Sequence, residues 1–170
     1  MSYRFINLAP IFEASTAVQI HLVAAISALV LGALVLFWRK GNMRHRFGGR
    51  IWVGLMLVIA VSSFWISEQP VFLGFGPIHV LSVMTLAGLY RGVTLARSGK
   101  IDLHQKGMRS LYFFALIAAG SFTLLPGRRM HAVLLERVPW LGDLPAGALA
   151  AFIGVALVAL FFRLRRAGMV

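Results

Sequence analysis

The sequence predicts an all-α membrane protein, a single bundle of about five transmembrane helices over residues 1–170. Hydrophobic residues make up 59% of the chain and charged residues only 13%, a composition too apolar for a surface in contact with water. The apolar residues form five long runs, and most lysines and arginines lie in the short segments between them. No connection is long enough for a soluble catalytic domain, so any function belongs to the helices or their ends.

The five predicted spans are bounded by charged and helix-breaking residues. We place them at about 14–38, 51–67, 76–96, 110–125 and 144–162. The first is long enough to cross a hydrocarbon core of about 30 Å at about 1.5 Å per residue, and it lacks the small-residue cleavage site of a signal peptide. Pro77 suits the first turn of the third helix, and Pro126 with Gly127 ends the fourth.

The distribution of cations predicts the orientation, because short cytoplasmic connections are enriched in lysine and arginine. The first and third connections, the carboxyl-terminal tail and Arg91 near the third connection together hold thirteen of the 17 Lys and Arg residues, whereas the other side holds Arg4, Arg128, Arg129 and Arg137. We therefore expect the amino terminus outside and the carboxyl terminus in the cytoplasm. Cations placed in this way contact anionic lipid headgroups, so the net charge of +12 does not indicate nucleic-acid binding.

Two histidines are predicted to lie inside the membrane. His21 lies roughly two turns into the first helix and His79 near the start of the third, so we expect both in the outer half of the bilayer. Ionisable groups at that depth are costly, which makes them functional candidates. The chain has no cysteine, so histidine, carboxylate and methionine are the available metal ligands.

Three interpretations of this histidine pair are open. As axial ligands, His21 and His79 hold the iron of a non-covalent haem b, which suits a cysteine-free helical bundle. As structural residues, each imidazole forms an interhelical hydrogen bond with a hydroxyl or a carbonyl. As part of an outer polar site with Glu68, Gln69, Arg128 and Arg129, they bind a quinone headgroup or relay protons.

A second group of polar residues is predicted at the cytoplasmic side. His45 and His104 form a candidate lower ligand pair, although both are expected in loops. Arg46 and Arg50 lie beside glycines, where their guanidinium groups reach phosphate. They serve either lipid anchoring and topology or the binding of an anionic ligand.

The outer segment after the fourth helix carries Arg128, Arg129 and His131. Arginine binds carboxylate and phosphate through two parallel hydrogen bonds, so this segment suits an anionic headgroup. In the alternative interpretation, an ion pair of Arg128 with Glu68, Glu136 or Glu13 holds the outer loops together.

Together these features form a set of short motifs between about residues 16 and 131. The motif residues are His21; His45, Arg46, Gly49, Arg50 and Trp52; Gly76, Pro77, Ile78 and His79; His104 and Met108; and Pro126, Gly127, Arg128, Met130 and His131. The set resembles an uncharacterised bacterial family of predicted multi-pass membrane proteins with a domain of unknown function. Gly107 departs from it, because many relatives carry a tryptophan before the methionine. The resemblance implies a bacterial inner-membrane bundle and assigns no reaction.

The residues, together with the bacterial inner membrane that the resemblance implies, lead us to predict a small membrane protein that holds haem b near the periplasmic side and transfers electrons. His21 and His79 are the predicted ligands. One alternative is a non-enzymatic accessory or scaffold subunit that binds a larger membrane complex or itself. Another is a quinone-binding protein. The lipid bilayer is a partner in each case.

The predicted orientation can be tested with single cysteines, because the natural chain has none. Cysteines at Asn42, Gly99 or Gly168 should react with a membrane-impermeant thiol reagent only after the inner membrane is breached. Cysteines at Ser2, Gly74 or Gly142 should react in intact cells. Labelling of Gly99→Cys from outside would reverse the orientation, because the short basic loops decide it.

Overall fold

The computed structural model describes residues 8–66, 76–125, 127–134 and 163, and no strand occurs among them. Its helices are α1 (Ala9–Phe12), α2 (Thr16–Phe37), α3 (Met43–Ser62) with a 3-10 turn (Ser63–Trp65), α4 (Pro77–Arg97), α5 (Ile101–Leu111), a π-helical stretch (Tyr112–Ala118), α6 (Ala119–Phe122) and α7 (Arg129–Leu134). The chain forms two compact units, Ser15–Leu116 and a second made of Met1–Ala14 with Ile117–Val170. The all-α prediction is therefore confirmed for the described residues.

Three helices are long and apolar enough to cross a membrane: Thr16–Phe37, Met43–Trp65 and Ile78–Arg97. Large apolar side chains on them are exposed, for example Val23 at 66% and Phe37 at 77%, as expected of surfaces that contact lipid. These helices correspond to the first three predicted spans. The region of the fourth is helical without a break from residue 101 to 122, and the predicted fifth span, 144–162, lies outside the described residues.

Helix α3 begins at Met43, earlier than the predicted start near residue 51. Asn42 caps it, because its side-chain oxygen accepts a hydrogen bond of 2.8 Å from the backbone N–H of His45. The expectation that His45 lies in a loop is therefore wrong. The arginines Arg46 and Arg50 also lie on the helix, within its first turns.

The contact surface of α2 is a narrow stripe of small residues. Its buried residues are Ala24, Ala28, Gly32 and Val35, spaced three or four apart on one helix face. Trp52 of α3 donates a hydrogen bond of 3.0 Å from its indole Nε1 to the Ala28 carbonyl. Helices in lipid gain little from apolar burial, so close approach and such polar bonds hold them together.

Side chains from two other segments pack against α2 at Gly32. A Cβ atom at this position would lie 2.5 Å from Trp52 Nε1 and 2.6 Å from the Tyr112 ring, distances that carbon atoms do not tolerate. The Tyr112 hydroxyl donates a hydrogen bond of 3.1 Å to the Leu29 carbonyl. The absence of a side chain at Gly32 therefore allows α3 and the end of α5 to approach α2.

Gly32→Ala should destabilise the protein because the added methyl group collides with two aromatic rings. We expect a loss of about 1–3 kcal/mol, the usual cost of overpacking, and a lower thermal midpoint in detergent. Gly54→Ala is the matched control, since a Cβ at Gly54 meets nothing within 4 Å. Equal thermal midpoints for the two variants would contradict the close packing of Trp52 and Tyr112 against Gly32.

Candidate functional site

Buried polar side chains are gathered where α3 ends. We define the serine–histidine cluster as His21, Ser62, Ser63, His79 and Ser82. His21 Nδ1 of α2 lies 3.1 Å from the Ile59 carbonyl and 3.1 Å from the Ser62 hydroxyl, both on α3. His21 therefore forms an interhelical hydrogen bond, as expected if it is a structural residue.

Helices α3 and α4 are joined in the same cluster. The Ser63 and Ser82 hydroxyls are hydrogen bonded to each other, and both residues are buried. Each hydroxyl also lies 2.8 Å from a carbonyl of its own helix, Ala60 for Ser63 and Ile78 for Ser82. Because lipid offers no competing water, bonds of this kind connect membrane helices.

His79 caps the start of α4. Its Nδ1 accepts a hydrogen bond of 3.0 Å from the backbone N–H of Gly76, and its ring centroid lies 5.7 Å from that of Phe64. The side chain is only 5% exposed. His21 and His79 thus both contact the last turns of α3 and its 3-10 extension, but through different residues.

The two histidines have opposite tautomers in their neutral forms. A backbone carbonyl can only accept, so His21 donates Nδ1–H where it contacts Ile59 and has a lone pair on Nε2. A backbone N–H can only donate, so His79 Nδ1 has the lone pair and Nε2 carries the proton. Iron ligation through Nε2 needs the first arrangement, so His21 suits it and His79 does not.

An apolar groove runs between α2 and α3 and ends beside this cluster. Its end nearest the cluster has a volume of about 570 Å³, with Thr16, Ser62 and Trp65 at its border. A second part of about 360 Å³ continues towards Ser27 and Leu55, and the two parts share the lining residues Ile20 and Val58. Sequence reasoning missed this groove because it depends on how two apolar helices cross.

Cations gather where α2 ends and α3 begins, at the opposite end of α3. Lys40 Nζ and His45 Nδ1 each donate to the Val35 carbonyl at 3.3 Å, and Lys40 also donates to the Leu36 carbonyl. Burial lowers the pKa of Lys40 from its ordinary value, and the charge of Arg109 lowers it further. Sequence reasoning counted Lys40 only as a topology charge.

His104 lies on α5 and bonds to α4. Its Nδ1 donates a hydrogen bond of 2.8 Å to the Gly92 carbonyl, and Met108, one turn later, packs against Gly92 itself. The loop position expected for His104 is therefore wrong. His45 bonds to the end of α2 and His104 to α4, so the two histidines of the predicted lower pair have separate hydrogen-bond partners. A Cβ at Gly107 would meet nothing within 4 Å, so there is space there for the first side-chain atom of a larger residue.

The outer arginines belong to the second compact unit. Arg129 at the start of α7 donates from Nη1 to the Pro10 carbonyl at 3.4 Å. His131 is buried in the same helix, and its Nε2 has no hydrogen-bond partner in the described part of the chain. Glu68 and Glu136, two of the predicted partners of Arg128, lie outside the described residues. Among the residues that the structure describes, no group of three or more metal-ligating side chains occurs.

Apolar helices of membrane-spanning length, joined by buried hydroxyl and imidazole bonds, define a helical integral membrane protein. The chain belongs to the family DUF2306, described as predicted membrane protein, which matches residues 18–162. The predicted relationship to a membrane family with a domain of unknown function is thereby confirmed. Comparison with curated proteins and with solved structures finds no match.

Replacing each histidine should separate structural from ligand roles. His21→Ala removes an interhelical bond and His79→Ala removes a helix cap, so each should cost about 1 kcal/mol in unfolding free energy. Because the bonds are distinct, the double variant should lose about the sum.

The alternative outcome identifies haem ligation. A red wild-type protein whose Soret band is bleached equally by either single variant and by the double variant would show that the two imidazoles act as one iron site. Absorbance spectra of protein produced with ample haem decide between the outcomes.

Proposed function

We propose that this protein binds a membrane quinone, with the headgroup at the serine–histidine cluster and the isoprenoid chain in the α2–α3 groove. The observation that carries the proposal is the groove itself, which is apolar along its length and ends beside Ser62, the hydrogen-bond partner of His21. Ligand sites commonly enclose about 300–1,000 Å³ and combine apolar walls with a few convergent polar groups.

The chemistry of the cluster supports a neutral headgroup. A quinone presents carbonyl acceptors and a quinol presents hydroxyl donors. The Ser62 hydroxyl donates a hydrogen bond of 3.1 Å to the Ile59 carbonyl of its own helix, so its oxygen is offered to a quinol hydroxyl as an acceptor. In this proposal the unprotonated Nε2 of His21 is a second acceptor for the headgroup. An imidazole in this state is also suited to accept the proton released on quinol oxidation.

The distribution of charge argues against a phospholipid as the specific occupant. The hydroxyl groups of Thr16 and Ser62 at this end of the groove are uncharged. The half-buried cations of Ser15–Leu116 lie instead around Lys40 and His45, at the other end of α3. A phosphate headgroup is attracted to cations, whereas a quinone ring needs only neutral hydrogen-bonding groups.

The topology that accompanies this proposal is the predicted one. We propose five spans with the amino terminus outside, in a bacterial inner membrane, so that the cluster lies near the periplasmic side. Haem b bound through His21 and His79, with electron transfer, is the weaker proposal because the bond from Gly76 to His79 requires the wrong tautomer.

A second candidate function is that of an accessory subunit. Helix α2 buries only four of its 22 residues, and apolar side chains such as Val23 and Val30 are exposed. A helix with so narrow a contact stripe offers its remaining faces to another membrane protein or to a second copy of this chain. This candidate predicts co-purification with a partner and no bound quinone.

Extraction of the purified protein tests the quinone proposal. We expect protein from quinone-containing bacterial membranes to retain quinone in detergent, measured by solvent extraction and chromatography against an unrelated membrane protein. Ile20→Trp should lower the retained quinone several-fold, because Ile20 lines both parts of the groove. Val30→Trp is the control on the same helix, since Val30 is similarly exposed and is not among the lining residues.

Ser62→Ala gives a finer test of the headgroup position. Loss of one neutral hydrogen bond should weaken quinol binding about 2- to 10-fold. Wild-type protein with no more quinone than the unrelated protein would rule out the proposal. Equal retention by Ile20→Trp and Val30→Trp would place any bound quinone elsewhere.

A further inference from the structure

The Ser62 hydroxyl is the most enclosed polar group at the end of the α2–α3 groove. Ser62 lines this end of the groove, and its side chain is only 8% exposed. The other lining residues with polar side-chain atoms at this end, Thr16 and Trp65, are exposed. Polar recognition on the buried side of the groove end therefore depends on Ser62.

The proton of the Ser62 hydroxyl is already used inside the protein. The hydroxyl donates a hydrogen bond of 3.1 Å to the Ile59 carbonyl, which can only accept. His21 Nδ1 lies 3.1 Å from the same carbonyl and 3.1 Å from Ser62 Oγ, so its N–H is shared between two acceptors. Ser62 therefore gives a hydrogen bond to its own helix and receives one from α2.

One acceptor position of Ser62 Oγ is left for a ligand. A serine hydroxyl has one proton to donate and two lone pairs that accept. The proton is directed to Ile59, and one lone pair is directed to His21. What Ser62 offers to a headgroup, without loss of its present bonds, is therefore the second lone pair.

The two redox forms of a quinone differ in how they use this lone pair. A quinone oxygen is a carbonyl and only accepts, so Ser62 has to turn its proton away from Ile59 and exchange one hydrogen bond for another. A quinol hydroxyl donates to the free lone pair, and the bonds to Ile59 and His21 remain. The quinol therefore gains one hydrogen bond that the quinone does not.

The exposed groups at this end of the groove do not reverse the difference. The Trp65 indole N–H is a donor, and the Thr16 hydroxyl is either a donor or an acceptor. A quinol hydroxyl oxygen accepts hydrogen bonds as a quinone carbonyl does, so these groups serve both redox forms. The discrimination rests with the buried oxygen of Ser62.

We propose that this site selects the reduced quinol over the oxidised quinone, with Ser62 Oγ as the acceptor of one quinol hydroxyl proton. This inference rests on the proposed function, quinone binding in the α2–α3 groove, and specifies the redox form that the site prefers. One additional neutral hydrogen bond corresponds to about 2- to 10-fold tighter binding of the quinol. By thermodynamic linkage, a tenfold preference raises the reduction potential of the bound two-electron couple by about 30 mV.

Titration of the purified full-length protein with both redox forms of one molecule tests the selection. A decyl-tailed benzoquinone and its dithionite-reduced quinol are added separately to protein in a nonionic detergent without oxygen, and binding is measured by calorimetry. Both forms carry the same tail, so the groove contributes equally to each. We expect the quinol to bind about 2- to 10-fold more tightly. A redox titration should place the bound couple at a higher potential than the same couple in protein-free detergent.

A pair of serine variants identifies the discriminating group. In Ser62→Ala the acceptor is removed, so the preference for the quinol should fall to about one. Ser98→Ala is the matched control, because the Ser98 hydroxyl also donates to a carbonyl three residues earlier, that of Leu95, at 3.2 Å. Ser98 is exposed at the end of α4 and does not line the groove, so its replacement should leave the preference unchanged.

The outcomes separate this inference from the proposed function. Equal affinity of the wild-type protein for both forms, or tighter binding of the quinone, overturns the selection and leaves the groove as a quinone site. Binding of neither form overturns the proposed function and the selection together. A preference that survives Ser62→Ala overturns the role of Ser62. The comparison of redox forms uses the wild-type protein, so it decides the selection even when Ser62→Ala disturbs the contact with His21.

Discussion

The close approach of α3 and α5 to α2 at Gly32 organises the larger compact unit. Lipid tails are as apolar as the helix faces, so burial of leucine or valine gives little reason for two helices to associate. Trp52 and Tyr112 instead connect the helices, because their side chains donate hydrogen bonds to the Ala28 and Leu29 carbonyls of α2. A side chain at Gly32 would collide with both aromatic rings.

This packing gives the two ends of α3 different chemistry. One end carries buried hydroxyls and imidazoles, in which Ser62 bonds to His21 and Ser63 to Ser82. The other end carries half-buried cations fixed to helix carbonyls. A helix of about 20 residues is about 30 Å long, which is enough to reach from one headgroup region to the other. The two ends of α3 therefore differ in the polar groups that they offer.

The histidines differ in the hydrogen-bond partner of their Nδ1 atom, a difference that residue type alone does not show. His21, His45 and His104 donate to backbone carbonyls and have their lone pair on Nε2. His79 accepts from the Gly76 N–H and carries its proton on Nε2. The first three can accept a proton or bind an electrophile, whereas His79 acts as a helix cap. The capping bond is local, between residues three apart, so the Gly-Pro-x-His pattern could have indicated it.

The sequence by itself determined the class of protein and its first three helices. Long apolar runs such as that of α2 have one stable form in lipid, because a helix satisfies every backbone hydrogen bond internally. It also indicated His21, His45, His79 and His104 as the residues to examine. The sequence misplaced the start of α3, because the first turns of this helix, which contain Arg46, are polar. The helix begins at Met43 because the Asn42 side chain caps it.

Only the tertiary structure decided which groups meet. The bond from His21 to Ser62 joins residues 41 apart, and the contact of Tyr112 with Leu29 joins residues 83 apart. Hydrophobic periodicity carries no information about such pairs in a membrane, because every face of an apolar helix is compatible with lipid. The groove and the hydrogen bond that fixes the tautomer of His21 follow from how the helices cross, which small residues and single hydrogen bonds set.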